Sequence, residues 1–142
     1  MFFKDEKSLE NFKAIIVNEL FRLTTKRYVK WKRCSNDEDD FMTTAKYQSE
    51  KDNRGRNKSH NVMYRVCKYG SKYYIFIHDY DYKTISEQST FEFPRIEISD
   101  DKEITGGISD IFNVIKEVVE YDEERLQKEL YEKLKICLNF KD

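Results

Sequence analysis

The sequence predicts an α+β fold: an N-terminal helix, a four- to five-stranded and mostly antiparallel β-meander, and a C-terminal helix or helix pair packed on one face of the sheet. Three observations predict it. Apolar residues recur at three- and four-residue steps near both ends of the chain, the middle alternates residue by residue, and the alternating runs lack helix-length segments between them. Parallel strands need crossover connections, so the order α, then strands, then α argues for a meander covered by helices.

Ser8 is a good N-cap, and Leu9, Phe12, Ile16, Leu20 and Leu23 share one helical face, predicting a helix over 8–24. Tyr28 to Cys34 is rich in β-formers and lysine, as suits a short edge strand, with Trp31 directed to the core. The run Ser35 to Asp40 is too acidic to pair and reads as an exposed loop. Phe41, Thr43, Ala45 and Tyr47 alternate along a strand over 41–48, and residues 49–59, which carry no apolar side chain, read as a long mobile hairpin loop. Val62, Tyr64 and Val66 begin a second hairpin, which turns at Tyr69-Gly70-Ser71 into Tyr73 to His78. This last run is bulky on both faces, as a central strand is. Thr90 to Ile98 gives a further strand, which Pro94 confines to an edge or a bulge.

Gly106-Gly107 breaks the pattern and Ser109 can cap the next helix, whose stripe is Ile111, Phe112, Ile115, Val118 and Val119. A second stripe, Leu126, Leu130, Leu134 and Leu138, follows Tyr121-Asp122. One bent helix or two helices meeting near Asp122 both satisfy it. The second stripe is assigned to the core, with a dimer seam as the alternative, so the chain is either a monomer or a homodimer.

A length of 142 residues fits one domain, 1–142, and ten Phe and ten Tyr supply a core that a disordered chain lacks. A net charge of −1 excludes global attraction to nucleic acid or anionic lipid, leaving local patches to do any electrostatic work. Three widely spaced cysteines, Cys34, Cys67 and Cys137, with no secretory leader and no apolar run of membrane-spanning length, predict reduced thiols in a cytoplasmic protein.

The candidate binding residues are cationic. Lys26, Arg27, Lys30, Lys32 and Arg33 interleave with Tyr28 and Trp31, and Arg54, Arg56 and Lys58 surround Gly55 with Lys51. Both groups suit phosphate contact, although a lysine-rich edge strand also serves to prevent aggregation. His60 and His78, with Asp79 and Asp81 beside the second, lie across a hairpin that brings them close enough for acid–base work, against the plainer reading of solvated strand-end side chains. Arg54 and His60 have the Arg-x5-His spacing of metal-independent ribonucleases of the HEPN type, but those sites lie on dimerising helices and these residues fall in a polar loop. No spacing suits a metal, a calcium loop or a phosphate-binding glycine loop, so no metal or cofactor is expected.

The capped first helix, the basic strand around Lys30-Trp31-Lys32, the aromatic hairpin at Tyr69-Gly70-Ser71, Phe91-Glu92-Phe93-Pro94 and the helix near Ile108 to Val119 together resemble small α-β(meander)-α proteins of AT-rich bacteria, their phages and mobile elements. The resemblance implies an accessory protein and brings no catalytic residues. The expected function is a non-enzymatic interaction protein, an inhibitor or regulator that binds a protein partner through charged loops. The alternative is a nucleic-acid-binding module using the 22–33 segment and the 51–58 loop.

Overall fold

The computed structural model describes residues 2–34, 39–51, 53–81 and 94–141. Helix α1 (Glu6–Thr25) leads through β1 (Lys32–Arg33) into β2 (Asp40–Lys51), β3 (Asn57–Tyr69), β4 (Lys72–Asp79) and β5 (Arg95–Asp100), and α2 (Ile108–Leu138) closes the order. The strands form one antiparallel sheet in sequence order, β1-β2-β3-β4-β5, so the α+β meander read from the sequence is the fold.

Strand alternation decides which side chains meet the helices. Pairing sets Phe41, Thr43 and Ala45 beside Val66, Tyr64 and Val62, and these beside Ile75 and Ile77, with Ile98 and Ile96 beyond. On this face α1 contributes Ile16, Val17, Leu20 and Leu23, and α2 contributes Ile108, Ile111, Phe112, Ile115 and Val119, all in one core. Phe112 packs against both Phe41 and Tyr73.

Several local expectations change. The α1 cap is Asp5, whose Oδ1 accepts the Ser8 N–H at 2.8 Å, so Ser8 lies inside the first turn. The strand expected over 28–34 contracts to Lys32–Arg33 because its first residues stay bound to the end of α1. Arg27 adopts the left-handed region (φ 56°), and the Tyr28 N–H donates to the Leu23 carbonyl. Trp31 does enter the core, 5% exposed, where its indole N–H donates to Thr24 Oγ1 at 2.9 Å. Asp40 is not in an exposed acidic loop but begins β2 and is buried; Ser35 to Glu38 lie outside the described residues.

The polar stretch 49–59 is mostly strand, with Gln48 opposite Ser59 and Lys51 opposite Asn57 across a register shift. β3 pairs with β4 only from Val62 onward, so the far end of the β2–β3 hairpin is a two-stranded arm. The arm needs no apolar side chains because ladder hydrogen bonds, rather than burial, hold it. The expected strand residues Thr90 to Phe93 lie outside the described residues, and Pro94 stands immediately before β5, an edge strand.

Helix α2 is a single helix, and Asp122 does not cap a second one. Ser109 does not cap it either. The first N–H groups are met from outside, with Asp100 Oδ2 accepting from Ile108 at 2.9 Å. The core assignment of the second leucine stripe is overturned. Leu126, Leu130, Leu134 and Leu138 are 50%, 56%, 40% and 66% exposed, because the last α2 residue in the core is Val119.

Candidate binding surface

Both helices cover one face of the sheet, and the described residues place no helix on the other. That second face carries Lys32, Met42, Thr44 and Lys46 from the first strands, Met63, Arg65, Cys67 and Tyr69 from β3, Lys72, Tyr74, Phe76 and His78 from β4, and Arg95 and Glu97 from β5. At its centre Tyr74 stacks on Phe76, with ring centroids 5.8 Å apart and an interplanar angle of 8°. The Arg65 and Arg95 guanidinium groups lie 5.5 and 5.3 Å from the Phe76 centroid, and Lys72 Nζ lies 5.9 Å from that of Tyr74. Cations over ring faces are held by the ring quadrupole, and here Lys72 also pairs with Asp101 at 3.3 Å.

A fixed ion pair sets Arg65. Its Nε donates to Asp40 Oδ1 at 2.8 Å, its second fork nitrogen reaches Asp40 Oδ2, and the Tyr69 hydroxyl accepts from Arg65 at 2.9 Å. Burial, against the opposing charge of Arg65, pushes the Tyr69 hydroxyl up to about 12. Burial first, with Asp40 second, lifts the neighbouring Cys34 thiol to about 11, which keeps it protonated and poorly nucleophilic. His78 is pushed below its ordinary value by burial and by the positive charges of Arg95 and Arg65.

The cations anticipated from sequence divide into two groups. Arg27 and Arg33 are held by α2: Arg27 donates to Asp122 at 3.2 Å and Arg33 grips Glu123 at 2.9 and 3.0 Å while lying over the Phe41 ring. Lys26, Lys30 and Lys32 are exposed, but only Lys32 belongs to the second face by register. The 22–33 segment is therefore partly an internal clamp rather than one continuous cationic face. Arg54, Arg56 and Lys58, with Lys51, are all exposed at the arm, and Lys46 stands where the arm meets the second face.

The two histidines do not form a pair. Register places His60 on the helix side, in line with Val62 and Tyr64, and His78 on the opposite side, opposite Met63. Asp81 is engaged by Asn61, accepting its backbone and side-chain N–H groups at 2.7 and 2.8 Å, and Asp79 Oδ1 accepts the Asp81 N–H. Arg54 lies in the turn between β2 and β3 and His60 on β3, not on helices. A depression of about 810 Å³ borders both histidines, and its floor is Phe3, Leu9, Val62, Ile77 and Ile96. This lining is chiefly apolar and does not bring the two imidazoles together.

A second polar cluster escaped the sequence reading. The Tyr47 hydroxyl donates to Glu19 at 2.7 Å and meets the Tyr64 hydroxyl at 2.8 Å, and Arg22 Nε holds the same carboxylate at 2.7 Å. The Arg22 hydrogen bond holds Glu19 below the ordinary carboxylate value, and burial raises both tyrosines, so neither phenol is activated as a nucleophile. No sequence signal brings α1 to these strands beyond the apolar stripe beside Glu19.

Among the described residues, no group of three or more His, Cys, Asp or Glu side chains could hold a metal, and no helix is long and apolar enough to cross a membrane. Fold and surface together define a class: an antiparallel α+β protein with a cation- and ring-bearing sheet face on which the described residues place no helix. Comparison with protein-family models, curated proteins and solved structures finds no match.

Proposed function

We propose that this chain is a binding protein without catalytic chemistry, and that it takes single-stranded nucleic acid on the helix-free face and along the β2–β3 arm. The observation that carries the proposal is half-buried Tyr74, stacked on Phe76, which is itself buried under Arg65 and Arg95, with Lys72 beside it on a sheet face where the described residues place no helix. Bases stack on such rings with little regard to sequence, and flanking cations follow the phosphates. Lys46, Lys51, Arg54, Arg56 and Lys58 extend the track along the arm. The separation of His60 from His78 supports the non-catalytic part of the reading.

Fluorescence anisotropy with labelled oligo-dT and oligo-U, titrated over salt, tests it. Five phosphate contacts give a log–log slope of about −3.5, so raising salt fourfold weakens binding about 100-fold. Tyr74→Ala and the double variant Arg54→Glu/Arg56→Glu should each weaken binding, and Lys26→Glu should leave it nearly unchanged. Absence of binding at low salt ends the proposal.

The second reading is an acidic protein partner, as for an inhibitor or regulator of mobile-element origin. It is favoured by cations on both faces of the arm, with Lys46 and Lys58 on opposite sides by register. Salt-steep binding of polyglutamate together with indifference to oligonucleotides moves the assignment there.

A further inference from the structure

We propose that the open edge of β2 is a docking site for an extended acidic peptide, which joins the sheet as a further strand antiparallel to β2, as β1 is. In a strand, the N–H and C=O of one residue point to the same side, and the side alternates from residue to residue. The Asp39 carbonyl accepts the Lys68 N–H and the Asp40 carbonyl accepts the Cys34 N–H, so odd-numbered residues of β2 bond to β3 and even-numbered residues face outward. β1 covers the outward side only as far as Met42, opposite Lys32. Beyond that point the Lys30 carbonyl turns to the Thr43 hydroxyl, and the chain departs toward α1. The outward N–H and C=O groups of Thr44, Lys46 and Gln48 have no backbone partner among the described residues. Residues 40–51 contain no proline, and pairing with β3 stays regular up to Gln48. An edge of this kind is a template for one more strand, and only a peptide backbone offers the matching alternation of acceptors and donors.

The surroundings of the edge set the peptide's side chains. A cleft of about 440 Å³ lies between β2 and the end of α1, walled by Leu23, Tyr28, Val29, Ala45 and Tyr47 together with Arg22. Its charged lining residues, Arg22 and Lys46, are both cations. Lys30 and Lys46 are exposed and in no ion pair among the described residues, and Glu19, on the same part of α1, is already held by Arg22 and Tyr47. A lysine on an edge repels strands in general and favours one that brings carboxylates. Peptide residues opposite Ala45 and Tyr47 direct their side chains toward the cleft and suit apolar groups, and residues opposite Thr44, Lys46 and Gln48 suit acids. A second copy fits poorly, because pairing two β2 edges about Lys46 sets lysine against lysine and carries residue 50 of the copy to Met42, where Lys32 already sits.

Fluorescence anisotropy of a labelled, end-blocked peptide Glu-Val-Glu-Leu-Glu-Val-Glu, titrated with the full chain, tests the proposal. In antiparallel pairing the glutamate amides face β2 and the valine amides face away. N-methylation of the two central glutamate amides should therefore weaken binding about tenfold or more, and N-methylation of the two valine amides should change it little. The same residues in block order, four Glu and then Val-Leu-Val, should also bind about tenfold more weakly, since charge alone does not supply the alternation. On the protein, Thr44→Pro deletes an outward N–H that β3 does not use, so it should weaken binding while circular dichroism stays that of the parent. Amide hydrogen exchange at Lys46 and Gln48 should slow on binding. No binding at about 1 mM peptide, or equal effects of the two N-methyl sets, would overturn the proposal. A concentration-dependent dimer that Thr44→Pro abolishes would overturn it in favour of a second copy. The peptide comparison contains no oligonucleotide, so its outcome is independent of the nucleic-acid reading.

Discussion

Lys13 Nζ lies 2.8 Å from Asp100 Oδ1, while Asp100 Oδ2 accepts the Ile108 N–H at 2.9 Å, so one carboxylate joins α1, β5 and the start of α2. The Asp100 side chain is 3% exposed and that of Lys13 13%. Asp100→Ala removes an ion-pair partner from a part-buried ammonium and the cap of the longest helix. The expected loss is about 2–4 kcal/mol, read from urea unfolding. Asp100→Asn keeps an acceptor for Ile108 and should lose less. Equal losses in the two variants would show that the cap contributes nothing.

Gly107, the residue before α2, makes a second prediction through space alone. A Cβ there would lie 2.7 Å from Oδ2 of buried Asp100 and 3.1 Å from Cβ and the carbonyl oxygen of Ile104. Its φ of −97° suits any residue, so the cost of Gly107→Ala is steric and should be about 1–3 kcal/mol. An unfolding midpoint equal to the parent's would mean that the Asp100 carboxylate moves aside freely.

Trp31 is the only tryptophan, and its indole N–H has Thr24 Oγ1 as a buried partner. Thr24→Val keeps the shape and deletes the acceptor, leaving a donor unsatisfied in the core. A loss of about 1–3 kcal/mol is expected, with a change in Trp31 fluorescence in the folded state. Thr24→Ser restores the acceptor and should recover most of the stability. If valine and serine variants unfold alike, the hydrogen bond is not what holds the ring.

The elements with strict alternation or strict helical spacing were legible, because those periods report which side is buried. Phe41, Thr43 and Ala45 occupy the face expected of them, as do Ile16, Leu20 and Leu23. What failed was what covers a face. The Leu126 to Leu138 stripe declares an amphipathic helix, but periodicity carries no information on whether a sheet or a second chain lies against it. The arm was misread as a loop because pairing by backbone alone leaves no apolar mark. The second-face cluster had a visible sign, since Tyr74 and Phe76 make β4 bulky on both sides. Its guanidinium neighbours come from other strands, and only register brings them there. Arg27 and Arg33 looked like a free patch because the acids that hold them, Asp122 and Glu123, lie far along the chain.

His78 fixes the sign of the last prediction. Its folded pKa is lowered from 6.5 by burial and by the charges of Arg95 and Arg65, so the unfolded chain takes up the proton first as pH falls. Stability is therefore fully present above pH 6.5 and is lost as pH falls from there toward the folded value. Glu19 and Glu123, both lowered from 4.5 chiefly by hydrogen bonds from Arg22 and Arg33, contribute stability that is present above that value and lost below it. The unfolding midpoint should thus be level near neutrality and decline in two stages on acidification. His78→Gln, which cannot take the proton, should abolish the first stage and leave the second. A His78→Gln profile that still falls between pH 6.5 and 5, about where an unperturbed imidazole titrates, would assign that stage to another group.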